Sequence, residues 1–199
     1  SDRFQLLNGE WKFQYYNSIY DVTESFYEKG YDVSGFDQVT VPGVWQMDGY
    51  DTHQYTNIRY PFPFDPPYVP QDIPCGAYVH NFEYHREKKA SKAFLNFEGV
   101  DSCFYVWVNG AYAGYSQVPH ATSEFDVTDL LNEGENTLAV LVLKWCDGSY
   151  LEDQDKFRMS GIFRDVYLLK RPETTIRDYY ITTDVEKDSV VVKLDMHFA

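Results

Sequence analysis

The sequence predicts an all-β protein built from many short strands. Apolar and polar residues alternate with the two-residue period of a half-buried strand in several segments, and no apolar period of 3.6 residues persists over a dozen residues. Aromatic residues, which favour strands, are abundant: 18 Tyr, 14 Phe and 4 Trp. Short strands separated by turn signals are typical of a sandwich, a jelly roll or a barrel.

The predicted strands follow one another along the chain. Asn109-Gly110 lies between two apolar runs and predicts a tight hairpin, because both turn residues need positive φ. The nearly continuous apolar run at 137–145 predicts a strand covered on both faces. The one helical candidate is short, at residues 22–29. The predicted strands are residues 10–15, 78–84, 94–97, 104–108, 111–115, 137–145 and 166–169.

A domain boundary is predicted near Arg171-Pro172. Beyond it, residues 176–183 and 190–198 read as two further strands joined by a turn at 186–188. Two strands alone cannot close a hydrophobic core. The sequence therefore predicts one domain over residues 1–171, and the start of a second, truncated β domain over residues 172–199, so that the chain is expected to be a fragment of a longer protein.

Charge and hydropathy exclude several functions. With 17 Lys and Arg against 31 Asp and Glu, the net charge is −14, which argues against a nucleic-acid partner. No apolar run approaches the roughly 18 residues of a membrane helix, so no membrane partner is expected. The first residues do not resemble a signal peptide, which favours a cytoplasmic location; a periplasmic or secreted protein with a trimmed signal peptide is the alternative.

The three cysteines, Cys75, Cys103 and Cys146, are odd in number and far apart. They predict small buried apolar residues rather than a disulfide framework, and their spacing does not suit zinc. No Gly-rich phosphate loop or serine nucleophile elbow is present, and the five histidines show no metal-ligand spacing.

Two irregular stretches are candidate functional loops. Residues 57–74 contain six of the nine prolines and predict a long, rigid loop. Residues 146–163 contain Glu152, Asp153 and Asp155. Close carboxylates suggest a glycosidase pair, whereas a solvated acidic loop is the simpler alternative. The flanking Tyr150 and Phe157 favour a sugar site, because aromatic rings pack well against the C–H faces of sugars.

Several motifs, in order, carry a resemblance to a known family. The main ones are LNGEWKF at 7–13, VPGVWQ at 41–46, YTNIRYP at 55–61, GYSQ at 114–117, WCDGSYLEDQD at 145–155 and RMSGIFRDV at 158–166. On these motifs the chain resembles the N-terminal sugar-binding domain of glycoside hydrolase family 2, and within that family the bacterial β-galactosidase branch. The resemblance covers essentially the whole chain.

This resemblance implies a jelly-roll β-sandwich of the galactose-binding-domain-like type over residues 1–171. It implies that residues 172–199 are the first strands of an immunoglobulin-like sandwich. The family's catalytic glutamates lie on a barrel domain, so this fragment is expected to lack hydrolytic activity. The parent protein would be a retaining glycosidase acting on β-galactosides.

The resemblance also implies site residues and ions. Asn57 and Asp155 would contact the galactoside, and Asp155 would also ligate a sodium ion. Gln117 and Asp147 match positions that help to hold a peripheral magnesium ion in some members. The parent is expected to be a homo-oligomer. Two alternatives stay open: an independent, non-catalytic carbohydrate-binding jelly roll with its own aromatic surface, and an interface domain for oligomer assembly.

Overall fold

A computed structural model describes residues 3–23, 25–57, 59–152 and 154–198, with the side chain of Glu186 excepted. The chain forms two main antiparallel sheets and three two-stranded ladders. The larger sheet contains, in spatial order, β3 (Asp37–Val41), β2 (Gly9–Tyr16), β5 (Cys75–Tyr84), β11 (Gly134–Leu143), β8 (Cys103–Val108) and β9 (Ala111–Ser116). The smaller contains β1 (Phe4–Leu6), β14 (Val166–Arg171), β6 (Lys92–Phe97) and β10 (Ser123–Asp126). The ladders join β4 (Gln54–Thr56) to β12 (Lys156–Arg158), β7 (Val100–Asp101) to β13 (Gly161–Ile162), and β15 (Ile176–Glu186) to β16 (Ser189–Phe198).

The main core lies where alternate side chains of the two large sheets meet, so the predicted β-sandwich is confirmed. Trp11, Phe13 and Leu138 of the larger sheet and Phe97 of the smaller one are at most 1% exposed. Burial of a large apolar side chain stabilises the fold by about 1.5–3 kcal/mol. Trp45 also lies in this core, and its indole N–H donates a hydrogen bond of 2.5 Å to the Tyr78 hydroxyl.

A second core covers the outer face of the larger sheet. Phe26 packs there against Val79 of β5 and Leu141 of β11. Strand β11 is therefore buried on both faces, as the apolar run at 137–145 predicted, and β5 beside it also contributes to both cores. The predicted helix at 22–29 is wrong, because the described residues of this segment form turns and irregular structure. The rings of Phe26 and Tyr27, which are neighbours in sequence, both pack on Trp107 of β8.

The Asn109-Gly110 hairpin is confirmed. Both residues have positive φ, 53° and 84°, and they join β8 to β9. The Asn109 side chain also donates to the carbonyl oxygen of Leu130 at 2.8 Å and accepts from the backbone N–H of Thr137 at 3.0 Å. The turn is thus tied to the start of β11, which fixes the register of three neighbouring strands.

The structure contains all the predicted strands and several further short ones. The seven strands predicted before the boundary are all present, most of them extended by a few residues, and the three cysteines are buried. The short strands β1, β3, β4, β7, β10, β12 and β13 were not predicted. In the described residues, β15 and β16 pair only with each other, and their side chains are largely exposed. No helix within the described ranges is long and apolar enough to cross a membrane.

Candidate functional site

The short ladder between β4 and β12 brings the proline-rich loop and the acidic loop together. Thr56 pairs with Lys156, and Asn57 and Asp155 are the next residues at the same end. The side chains of both lie next to the Tyr55 hydroxyl, whose pKa they shift in opposite directions: Asp155 raises it and Asn57 lowers it. The hydrogen bond to Asp155 is the main reason that the pKa of Tyr55 is raised. The two residues predicted for sugar binding are therefore neighbours; their role remains a prediction.

Arg158 is the residue that joins these two loops. Its guanidinium is buried and donates to the carbonyl oxygens of Glu152 at 2.6 Å and Gln154 at 2.7 Å. Its Nε donates to the Thr56 hydroxyl at 2.8 Å. Because Thr56 precedes Asn57 and Gln154 precedes Asp155, one rigid side chain sets the relative positions of both site residues.

A network of charged side chains lies next to the β4–β12 ladder. Lys156 Nζ is 3.3 Å from Glu152 Oε2 and 3.6 Å from Asp101 Oδ2. Burial raises the pKa of Asp101 to about 6, and the nearby Lys156 opposes this shift. His120 Nδ1 lies 3.6 Å from Glu152 Oε1. The Glu152 carboxylate thus pairs with the Lys156 ammonium and lies beside the His120 ring, which distinguishes it from a free catalytic acid. Asp153, the other carboxylate predicted here, lies outside the described residues.

Tyr150 orders the proline-rich loop. Its hydroxyl donates to the carbonyl oxygen of Tyr68 at 2.6 Å and accepts from the backbone N–H of Asp65 at 3.1 Å. The rings of Tyr60, Phe62 and Phe64 surround it, with centroids 5.2–5.6 Å away. The long loop is therefore packed against the acidic loop through aromatic contacts, in addition to the rigidity of its prolines.

Two exposed rings flank Asn57 and Asp155. Tyr55 is 57% and Phe157 is 56% exposed, and their centroids are 5.6 Å apart. Flat apolar rings beside a carboxylate and an amide form a surface that can pack on a sugar and bind its hydroxyls. The positioning roles of Tyr55 and Arg158 were not predicted, although both lie within motifs that carry the family resemblance.

Gln117 and Asp147 also lie close together. A Cβ atom placed on Gly148, the neighbour of Asp147, would be 3.2 Å from the Gln117 carbonyl oxygen and 3.6 Å from its Nε2. Gln117 Oε1 accepts from the Tyr115 hydroxyl at 2.7 Å, and Asp147 Oδ1 accepts from the Gly148 N–H at 2.9 Å. Among the described residues no group of three or more His, Cys, Asp or Glu is placed to hold a metal. The two side chains fit only as part of an oxygen ligand set.

Comparison with known proteins places these loops in a family. Residues 4–172 match "Glycosyl hydrolases family 2, sugar binding domain". The chain is 53% identical over 188 residues to a β-galactosidase of Actinobacillus pleuropneumoniae, covering 94% of this chain and 18% of that protein. It is 49% identical over 191 residues to a β-galactosidase of Staphylococcus xylosus, covering 96% and 19%. The chain thus spans about a fifth of the length of these relatives.

Solved structures show the same fold at low identity. A β-glucuronidase from an uncultured Clostridium superimposes with a TM-score of 0.72 at 23% identity, over 98% of this chain and 33% of that one. A Ruminococcus gnavus β-glucuronidase gives 0.75 at 18% identity, over 98% and 34%. A sugar-binding domain of a glycosidase interacts with carbohydrate. On the match over residues 4–172, this chain belongs to the glycosyl hydrolases family 2, as its sugar binding domain.

Proposed function

We propose that this chain is the non-catalytic sugar-binding part of a β-galactosidase, and that it supplies Asn57 and Asp155 to the galactoside site. The observation that carries the proposal is that Asn57 and Asp155 lie side by side at one end of the β4–β12 ladder, next to the exposed rings of Tyr55 and Phe157. The names of the relatives at 53% and 49% identity support the same substrate class.

The roles of these residues follow from their chemistry. The Asp155 carboxylate accepts charge-assisted hydrogen bonds from sugar hydroxyls, and the Asn57 amide can donate and accept at once. The rings of Tyr55 and Phe157 offer faces for the apolar side of a pyranose. A β-glucuronide carries its own carboxylate, which Asp155 would repel. This charge argument favours a neutral galactoside over the uronic acid named for the solved structures.

Hydrolysis is assigned to residues outside this chain. Glu152 is engaged by Lys156 and His120, and Asp155 lies next to the Tyr55 hydroxyl. Neither is placed as a free acid or nucleophile of a retaining pair, which requires two carboxyl groups about 5–5.5 Å apart. We therefore expect the catalytic glutamates on the barrel domain of the parent protein, and no turnover of galactosides by this chain alone.

Two cations fit this proposal. Asp155 would hold a sodium ion beside the sugar, because hard cations prefer carboxylate and hydroxyl oxygens. Gln117 and Asp147 would contribute two ligands to a peripheral magnesium ion, which usually keeps several waters. A bound cation would orient these side chains.

The test compares Asp155→Asn with Asp72→Asn in the longer protein that contains this chain. Asp72 is an exposed carboxylate in the proline-rich loop and serves as the matched control. Loss of a charged acceptor that contacts the sugar should lower kcat/KM by about 1.5–3 kcal/mol in transition-state stabilisation. Sodium should restore little of the loss, because the ligand itself is gone. The measurement uses a chromogenic β-galactoside and a β-glucuronide, with and without sodium.

Three outcomes would contradict the proposal. One is an Asp155→Asn variant within about 0.5 kcal/mol of wild type, as is usual for a surface residue. Another is a wild-type protein that prefers the glucuronide. The last is galactoside turnover by the 199-residue chain alone that disappears in Glu152→Gln.

A further inference from the structure

A row of aromatic rings lies on the outer face of β8 and β9. The Tyr105 ring centroid is 4.8 Å from Tyr115 and 6.1 Å from Trp107, which is 6.0 Å from Tyr112. Tyr27 stacks on Trp107 at 4.6 Å. Tyr112 and Tyr115 are 57% and 38% exposed. None of these rings belongs to the main core between the two sheets.

A β-bulge creates this row. The register between β8 and β9 shifts between Val106, which pairs with Gly114, and Trp107, which pairs with Tyr112. Tyr112 and Tyr115 are three residues apart, so a regular strand would place them on opposite faces. The extra residue at the bulge puts both rings beside Tyr105 and Trp107 instead. The local irregularity thus gathers aromatic side chains on one exposed surface.

The buried Phe26 ring links the row to a cavity. Phe26 lies 6.0 Å from Trp107 and, with Val79, forms an apolar part of the lining of a cavity of about 380 Å³. Asn81 and Thr137 supply polar groups to the same lining, and the Thr137 hydroxyl donates to Asn81 Oδ1 at 2.9 Å. The volume falls within the range of small-molecule sites, and the lining combines apolar side chains with a larger share of polar and charged ones, which suits a hydroxyl-rich ligand.

The chemistry of this surface selects its ligand. The charged groups of the cavity are Glu28, Glu135 and Lys29, so its local charge is negative, as is that of the whole chain at −14. Anionic ligands are disfavoured there. A neutral oligosaccharide offers hydroxyls for the amide, hydroxyl and carboxylate groups of the cavity, and C–H faces for the rings. We propose that this face binds a neutral oligosaccharide, with a terminal sugar in the cavity and further sugars along the ring row.

This surface is separate from Asn57 and Asp155. The loops that carry those residues leave the larger sheet at Cys75 and Leu143. Asn81, which lines the cavity, is six residues after Cys75 in β5. At a rise of about 3.3 Å per residue, Asn81 lies about 20 Å from Cys75. Binding here does not depend on the proposed galactoside site, so the two proposals can fail independently.

The experiment is an NMR titration of the 199-residue chain with β-1,4-linked galactotetraose. The expected result is saturable shifts of the Trp107 indole N–H and the Asn81 side-chain amide. Tyr112→Ala should weaken binding roughly fivefold, as expected for the loss of one ring contact, while Tyr112→Phe retains affinity. Asn81→Leu should weaken it comparably. Tyr180→Ala removes an even more exposed ring from β15 and should change nothing.

Thermal unfolding midpoints should be measured for all variants, to check that each is folded. The absence of a saturable shift at millimolar tetrasaccharide would overturn the proposal. Shifts confined to Asn57 and Phe157 would also overturn it, while supporting the galactoside site. Equal weakening by Tyr180→Ala and Tyr112→Ala would identify non-specific contact and would count against it as well.

Discussion

The sandwich and the β15–β16 hairpin share one sequence pattern but differ in what their side chains contact. In the sandwich, alternate residues such as Phe13 and Leu138 are 0% exposed. In the hairpin, Val192 and Leu194 are 61% and 51% exposed. Alternation therefore predicts the local conformation of a strand, whereas burial requires a second layer. Two paired strands cannot provide that layer for themselves.

The two regions should differ most in the stability lost when an apolar side chain is truncated to alanine. Phe13→Ala should lower the free energy of unfolding by about 3–5 kcal/mol, because the core cannot collapse fully around the missing ring. Leu194→Ala in the hairpin should change it by less than about 0.5 kcal/mol. Urea denaturation followed by tryptophan fluorescence measures both. Similar losses for the two variants would mean that the hairpin is packed on another surface in solution.

Two ion pairs of nearly equal length, one nearly buried in the sandwich and one exposed in the hairpin, compare the two regions further. Lys144 Nζ lies 2.6 Å from Asp51 Oδ2 with both side chains almost buried, while Lys193 Nζ lies 2.7 Å from Asp184 Oδ2 in the exposed hairpin. Asp51→Asn should cost about 3 kcal/mol, because it leaves the Lys144 charge buried without its anion. Asp184→Asn should cost less than about 0.5 kcal/mol. Denaturation midpoints at two salt concentrations test the contrast, since only the exposed pair should weaken with salt.

Arg158→Lys should cost about 2 kcal/mol. A lysine ammonium cannot reach the three acceptors of the guanidinium, so buried carbonyl groups lose their donors. It should also lower the pKa of Tyr55 towards its ordinary value, because Asp155 is no longer held against the phenol. NMR titration of ¹³C-labelled tyrosine measures this shift. Arg177→Lys, at the exposed start of β15, is the control, and an unchanged Tyr55 pKa in Arg158→Lys would refute the positioning role.

A smaller effect should appear in the pH dependence of stability. Asp101 has its pKa raised from 3.8 to about 6, so the native state keeps this proton after the unfolded chain has lost it. Its contribution to stability is therefore present below about pH 4 and is lost as the pH rises to about 6. Asp101→Asn should flatten this decline, because the amide has no proton to lose in this pH range. Asp195→Asn, in the hairpin, should leave the pH profile unchanged; a parallel profile for Asp101→Asn would contradict the assignment.

The smallest expected effect on stability is that of removing residues 173–199. The free energy of unfolding of the sandwich should change by less than about 0.5 kcal/mol, as for other surface changes. The exposed row of Val190, Val192, Leu194, Met196 and Phe198 should instead promote association between chains, as unprotected apolar strands do. Sedimentation velocity should show less self-association after removal. An unchanged association state would show that the hairpin is not the contact surface.

The larger strands were predictable because their pattern is local. Strands β4 and β12 were not, since each has three residues and they pair across about a hundred residues of sequence. The predicted helix failed for a related reason: Phe26 and Tyr27 are held by the sheet below them and not by neighbours along the chain. Only the tertiary structure brings such groups together.

The candidate site shows the same division. Asn57 and Asp155 were predicted from the family resemblance, and their proximity follows from a ladder that no local pattern revealed. The role of Arg158 was not predictable, because its main acceptors are backbone carbonyl oxygens whose positions depend on the folded loops. The assignment of residues 172–199 to an immunoglobulin-like domain stays a prediction.

The Arg158 side chain binds the main-chain carbonyl groups of the acidic loop, and this affects how the site can evolve. A carbonyl oxygen is chemically the same whatever side chain its residue carries, so the hydrogen bond to Gln154 tolerates almost any substitution at that position. A saturation-mutagenesis profile should accordingly be flat at position 154 and steep at 158. Such a loop can drift in sequence while it keeps its shape, and natural selection can then retune its sugar preference one side chain at a time.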